Sequence, residues 1–151
     1  RVHGTSGGAI VSLVLPEAPD AIRDCLEHYV SGEFFEELRA REVLKPHDVL
    51  LKRTLDAVGV TRDGAAARLS GKLVAHTTTF EDGLLRPRNV SLTDFADDAA
   101  VFRAVSASCC LDFVGVDVFE DGVFHHDGGL SDPLPVDAHT FHGSHWGSSA
   151  T

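Results

Sequence analysis

The sequence predicts an α/β sandwich, because apolar segments with helical spacing interleave with segments that read as short strands. Three observations carry this expectation. A glycine-framed serine, Gly4-Thr5-Ser6-Gly7-Gly8, runs directly into the apolar stretch "GGAIVSLVL". A β-branched stretch, "KLVAHTTTF", is followed by a glycine-containing turn and a second strand-like stretch. Finally, "VGVDVFEDGVFHHDGG" alternates apolar and polar residues about Asp121-Gly122, a hairpin signal.

Taken in order, "GGAIVSLVL" reads as a buried helix with its N-terminus at Ser6 and its end at Pro16. "DAIRDCLEHYV" sets Ile22, Cys25, Leu26, Tyr29 and Val30 at helical spacing, with Asp20 as N-cap and Gly32 as stop. "EFFEELRAREVL" and "HDVLLKRTLDAVG" continue as amphipathic helices, the second placing Leu51, Leu55 and Val58 on one face before Gly59. Near Gly71 the pattern changes, and "KLVAHTTTF" and "RPRNVSLTDF" read as strands paired through Glu81-Asp82-Gly83. "DDAAVFRAVSASCC" is a helix with Val101, Phe102 and Val105 inward and Asp97 or Asp98 at its cap. The hairpin follows, and the small polar residues of "HGSHWGSSAT" suggest a frayed tail over 139–151, leaving 1–138 as one domain.

Bulk composition narrows the function classes. A chain of 151 residues with 43% hydrophobic residues can bury a core. Its 13 basic against 23 acidic residues, a net charge of -10, repel nucleic-acid phosphates and give no general attraction to anionic membranes. Cys25, Cys109 and Cys110 form no even disulfide framework and lack zinc-site spacing, so they read as small core residues in a reducing, intracellular compartment. No apolar run approaches the roughly 20 residues of a membrane span. With no Met anywhere and only Arg1, Val2 and His3 before the serine motif, too few for a buried central strand, the chain reads as a piece of a longer polypeptide.

The chemistry gathers at two places. Glycines on both sides of Ser6 allow a tight strand-to-helix turn that leaves the hydroxyl uncrowded, the setting of a nucleophile elbow. A serine hydroxyl needs a positioned base. Asp127, before Gly128 and Gly129 at the end of the last strand, would present its carboxylate in an open loop at a sheet edge, although Asp-Gly-Gly also suits an ordinary turn. An aspartate, with an ordinary pKa near ~3.9, is a weak base at neutral pH, so burial and positioning must compensate.

Together, Gly4-Thr5-Ser6-Gly7-Gly8 and Asp127-Gly128-Gly129 resemble the patatin-like phospholipases, which pair a G-x-S-x-G serine with an Asp-Gly-Gly or Asp-Gly-Ala aspartate and use no histidine. "RLSGKLVAHTTTFEDG", "VSLTDFADDAAVFRAVSASCC" and "HHDGGLSDPLPV" extend the likeness, which is similar to the branch containing adipose triglyceride lipase and adiponutrin and runs from Val2 to Val136. The resemblance implies a three-layer α/β/α domain and a lipid acyl hydrolase of triacylglycerol lipase or phospholipase A type. Ser6 would be its nucleophile, Asp127 its proton acceptor and the Gly7 amide one oxyanion donor. It further implies a lipid ester substrate, no cofactor, and a protein that is soluble or peripheral to a membrane or lipid droplet. Two departures stand out. The family's glycine-rich oxyanion loop and the strand before it would lie upstream of Arg1, and Asp112 follows "SASCCL" where an apolar or proline-containing stretch is expected.

Other readings use the same residues. An α/β-hydrolase triad would recruit one of His139, His142 and His145, which follow Asp127 in the required order. A metal site could draw on these and on His125-His126, but Gly143 and Gly147 argue against a helix that would align them, and no metal is expected. A catalytically inactive lipid-binding or protein-binding module is the third alternative.

Overall fold

The computed structural model describes residues 1–24, 27, 56, 62–81, 85–110, 118–120 and 123–135. Strand β1 (Val2–Thr5) leads through Ser6 into helix α1 (Gly7–Val14), and a 3-10 turn follows at Pro19–Ala21. Helix α2 (Ala65–Leu69), strands β2 (Leu73–Thr79) and β3 (Arg88–Leu92) and helix α3 (Asp98–Ser108) come next. Strands β4 (Val118–Glu120) and β5 (Val123–Asp127) end in a 3-10 turn at Gly128–Leu130.

Every residue of β2 is buried, as expected of a strand flanked on both edges and covered on both faces. β1 runs parallel to it, Val2 opposite Leu73 through Thr5 opposite His76. β3 runs antiparallel, Ala75 opposite Leu92 through Thr79 opposite Arg88. β5 pairs antiparallel at Thr77–Asp127 and Thr78–His126, and β4 pairs with β5. Since β3 occupies one edge of β2 over Ala75–Thr79, both β1 and β5 must lie along the other edge. They meet end to end there, Thr5 opposite His76 and Asp127 opposite the next residue, Thr77.

Strand alternation puts Leu73, Ala75 and Thr77 on one face of β2 and Val74, His76 and Thr78 on the other. Helices α1, α2 and α3 share a cluster with Leu73 that includes Ile10, Leu13, Leu69, Val101 and Val105, all essentially without exposure. Each such side chain contributes about 1.5–3 kcal/mol by leaving water, so this cluster holds the helices to the sheet. The opposite face carries a polar cluster beside Val74: His76 is hydrogen-bonded to His3 at 3.0 Å and to Asn89 at 3.0 Å.

Most of the expected elements are present, with informative differences. The residues before Ser6 do form a strand, because β2 supplies a parallel ladder that the Val2 amide joins at the Lys72 carbonyl, 2.7 Å away. Asp20 is the middle residue of the 3-10 turn Pro19–Ala21, whose N-cap is Ala18, and the stretch it was expected to cap runs on outside the described residues. The two candidate caps of α3 divide their roles. Asp97 caps α3 itself, accepting from the Ala100 amide at 2.7 Å. Asp98 instead reaches across to the start of α2, accepting from the Gly64 and Ala66 amides at 2.7 and 2.9 Å. Cys110 is buried in the core and Cys109 partly so. Cys25, Leu26, Tyr29, Val30, both amphipathic stretches between Glu33 and Gly59 apart from Asp56, and the tail from residue 139 lie outside the described residues.

Candidate active site

Ser6 turns the chain from β1 into α1 with φ 56° and ψ -134°, the one positive φ at a non-glycine among the described residues. Such a conformation crowds Cβ against the backbone and persists only where the surroundings hold it. Here they do. The Ser6 amide donates to the Ser108 carbonyl at 3.1 Å and to the Ser108 hydroxyl at 3.0 Å. The Ser6 carbonyl accepts from the Ala9 amide at 2.8 Å and from the Cys109 thiol at 3.0 Å. Burial, followed by the charge of Asp127 and by Cys110, pushes the Cys109 thiol far above the ordinary cysteine range, so it stays protonated and able to donate.

The motif glycines do different work. A Cβ on Gly4 would stand 2.5 Å from the Ala9 Cα and 2.5 Å from the Gly8 carbonyl oxygen, so only glycine lets α1 fold back over β1. At Gly7 and Gly8 a Cβ would meet nothing within 4 Å, leaving the start of α1 open beside the hydroxyl.

Asp127 is the last residue of β5 and only 3% exposed, so the expected open loop is corrected to a buried strand end. The reason is its pairing with Thr77, which keeps the chain in the sheet one residue beyond the level at which β1 stops. Its carboxylate is used twice. Oδ1 accepts from the Gly129 amide at 2.8 Å, and Oδ2 accepts from the Ser6 hydroxyl at 2.7 Å. Its own amide donates to the Cys110 carbonyl at 2.7 Å and its carbonyl accepts from Thr78 Oγ1 at 2.8 Å. Gly128 is demanded by space, since a Cβ would fall 2.2 Å from the His76 carbonyl oxygen and 3.2 Å from Thr5 Cγ2.

The structure therefore brings Ser6 and Asp127, 121 positions apart in sequence, into direct hydrogen bonding. It separates His125 from His126. His125 is buried on the helix-covered face, sharing a 2.8 Å hydrogen bond with Thr77, and His126 packs edge-on against Phe80. Among the described residues no three His, Cys, Asp or Glu side chains converge as a metal site requires. His139, His142, His145 and Asp112 lie outside the described residues. The sequence reading missed the part played by the end of α3, where Ser108, Cys109 and Cys110 contact both Ser6 and Asp127. The only signal was a cluster of small hydroxyl and thiol residues, "SASCC", closing an otherwise apolar helix.

Among the described residues no helix is long and apolar enough to cross a membrane. A comparison with protein-family models matches residues 1–139 to the patatin-like phospholipases. No curated protein and no solved structure matches the chain.

Proposed function

Because the chain belongs to the patatin-like phospholipase family, a family of lipid acyl hydrolases, we propose that it cleaves carboxylic esters of glycerolipids through a Ser6–Asp127 dyad. The observation that carries this reading is the 2.7 Å hydrogen bond from the Ser6 hydroxyl to Asp127 Oδ2. A general base must lie within such reach of the proton it takes, and a base in direct contact leaves no place for an imidazole between the two.

In the proposed reaction Ser6 Oγ attacks the ester carbonyl carbon while its proton passes to Asp127. The C–O bond to the alcohol then breaks, and Asp127 returns the proton to the departing oxygen, leaving an acyl-serine. Water attacks this ester with its proton taken by Asp127, which hands it back to Ser6 Oγ as the fatty acid leaves. The Gly129 amide fixes one carboxylate oxygen so that the other faces the serine. The Gly7 amide, at the open start of α1, offers a donor to the oxyanion, a contribution worth about 3 kcal/mol in comparable sites.

The likeness of the quoted segments to the lipase and adiponutrin branch directs the proposal toward triacylglycerol and phospholipid substrates, met at a membrane or droplet surface. The test is Ser6→Ala in the full-length protein, assayed on a fluorogenic acyl ester and by fluorophosphonate labelling. Loss of both, with thermal unfolding nearly unchanged, is expected. Parent-like turnover in the variant overturns the assignment, and a folded parent without turnover favours the inactive binding module.

A further inference from the structure

Ser108, the last residue of α3, is completely buried and sits at a junction of three elements. Its hydroxyl carries one proton, which goes to the His76 carbonyl at 2.6 Å. Toward Ser6 that oxygen can then only accept, and it does so from the Ser6 amide at 3.0 Å, beside the 3.1 Å bond to its own carbonyl. His76 is the β2 residue opposite Thr5, and Thr77, next along β2, is opposite Asp127. The hydroxyl thus ties the strained elbow to the strand that fixes the acid. No other side-chain oxygen among the described residues is hydrogen-bonded to the Ser6 amide.

We infer that Ser108 is a positioning residue for the nucleophile: its hydroxyl holds Ser6 in the left-handed conformation that aims Oγ at Asp127. The inference rests on Ser6 being the nucleophile. Removing the hydroxyl leaves the Ser6 amide with the Ser108 carbonyl alone and takes a donor from the His76 carbonyl. The elbow then relaxes toward ordinary backbone angles and Oγ swings from the carboxylate. Ser108 is fully buried and presents no surface to an ester, so ester binding is expected to be spared.

The experiment compares parent, Ser6→Ala, Ser108→Ala and Ser108→Thr of the full-length protein, each checked for folding by circular dichroism. A soluble fluorogenic ester gives kcat and KM, and a fluorophosphonate probe gives the rate of serine labelling. Ser108→Ala is expected to lose about tenfold or more in kcat and in labelling rate with KM nearly unchanged. Ser108→Thr, which restores a hydroxyl, is expected to recover most of both. If Ser108→Ala does not fold, Ser108→Cys replaces it, since the thiol fills the site with a slightly larger atom and weakens both hydrogen bonds, and a lesser drop in the same two quantities is expected. Parent-like kcat and labelling in folded Ser108→Ala, or in Ser108→Cys where that replaces it, with only a lower unfolding temperature, makes Ser108 a packing residue and overturns the inference while Ser6 keeps its role. Turnover that survives Ser6→Ala instead removes the dyad reading itself, and the inference with it.

Discussion

The ends of β1 and β5 invite comparison, because each delivers one half of the proposed dyad to the same edge of β2. Ser6 directly follows β1 and Asp127 ends β5, and each is followed by two glycines that open a helical segment. Their backbones differ. Ser6 holds φ 56° and ψ -134°, whereas Asp127 holds φ -49° and ψ 127°, an ordinary conformation. The acid is placed by sheet register, which any regular strand provides. The nucleophile is placed by strain that neighbouring groups must maintain. The difference teaches that the two halves of the site fail in different ways: the acid by loss of pairing, the serine by loss of its restraints.

The sharpest way to break the comparison is chemical. Asp127→Asn keeps shape and pairing but removes the proton acceptor, and is expected to lower kcat about 10²–10⁴-fold with little change in thermal unfolding. Parent-like turnover on the same acyl ester would show that the register places a bystander.

Steric changes come next. Gly4→Ala and Gly128→Ala each drive a Cβ into backbone, at 2.5 and 2.2 Å, and are expected to cost about 1–3 kcal/mol or more in urea denaturation. Gly7→Ala meets open space in a helix, and is expected to add about 0.5–1 kcal/mol instead. Equal effects at Gly4 and Gly7 would mean that the close approach at the elbow is not what selects glycine.

A smaller effect is expected away from both strand ends. The Ala66 amide and then the Gly64 amide lower the Asp98 pKa, against an opposing effect of burial, with Arg68 adding a smaller lowering. A depressed native pKa stabilises the fold above the ordinary aspartate range and is lost as pH falls through the lowered value. Asp98→Ala is therefore expected to unfold at slightly lower temperature than the parent at neutral pH, with the gap closing in acid. A gap that widens in acid would reverse the assignment. Smallest of all, replacing His139, His142 and His145 together by alanine is expected to change turnover less than a few-fold, and loss of activity in a folded variant would install a triad in place of the dyad.

Local patterns were legible in the sequence, and contacts between distant segments were not. The apolar run after Ser6, the β-branched run at Leu73–Thr79 and the Asp121-Gly122 hairpin each declare their element within a few residues, and the α/β/α class read from them and from the family resemblance stands. The burial of Asp127 was not readable, because Asp-Gly-Gly looks the same whether it turns in water or beside β2. Nor was the reach of Asp98 to α2, since its place in the first turn of α3 already accounts for an acidic residue. Ser108 passed as helix filler for the same reason. Its partners, Ser6 and His76, are 102 and 32 positions away.

The end-to-end meeting of β1 and β5 on one edge of β2 has a consequence for biosynthesis. During synthesis the serine motif leaves the ribosome 121 residues ahead of the aspartate. Until β5 docks, the hydroxyl has no acceptor, so the nascent protein would be inert toward the lipids around it. Competence as an esterase would then report that β5 has docked beside β1, making the later of these two strands a safety catch on the earlier.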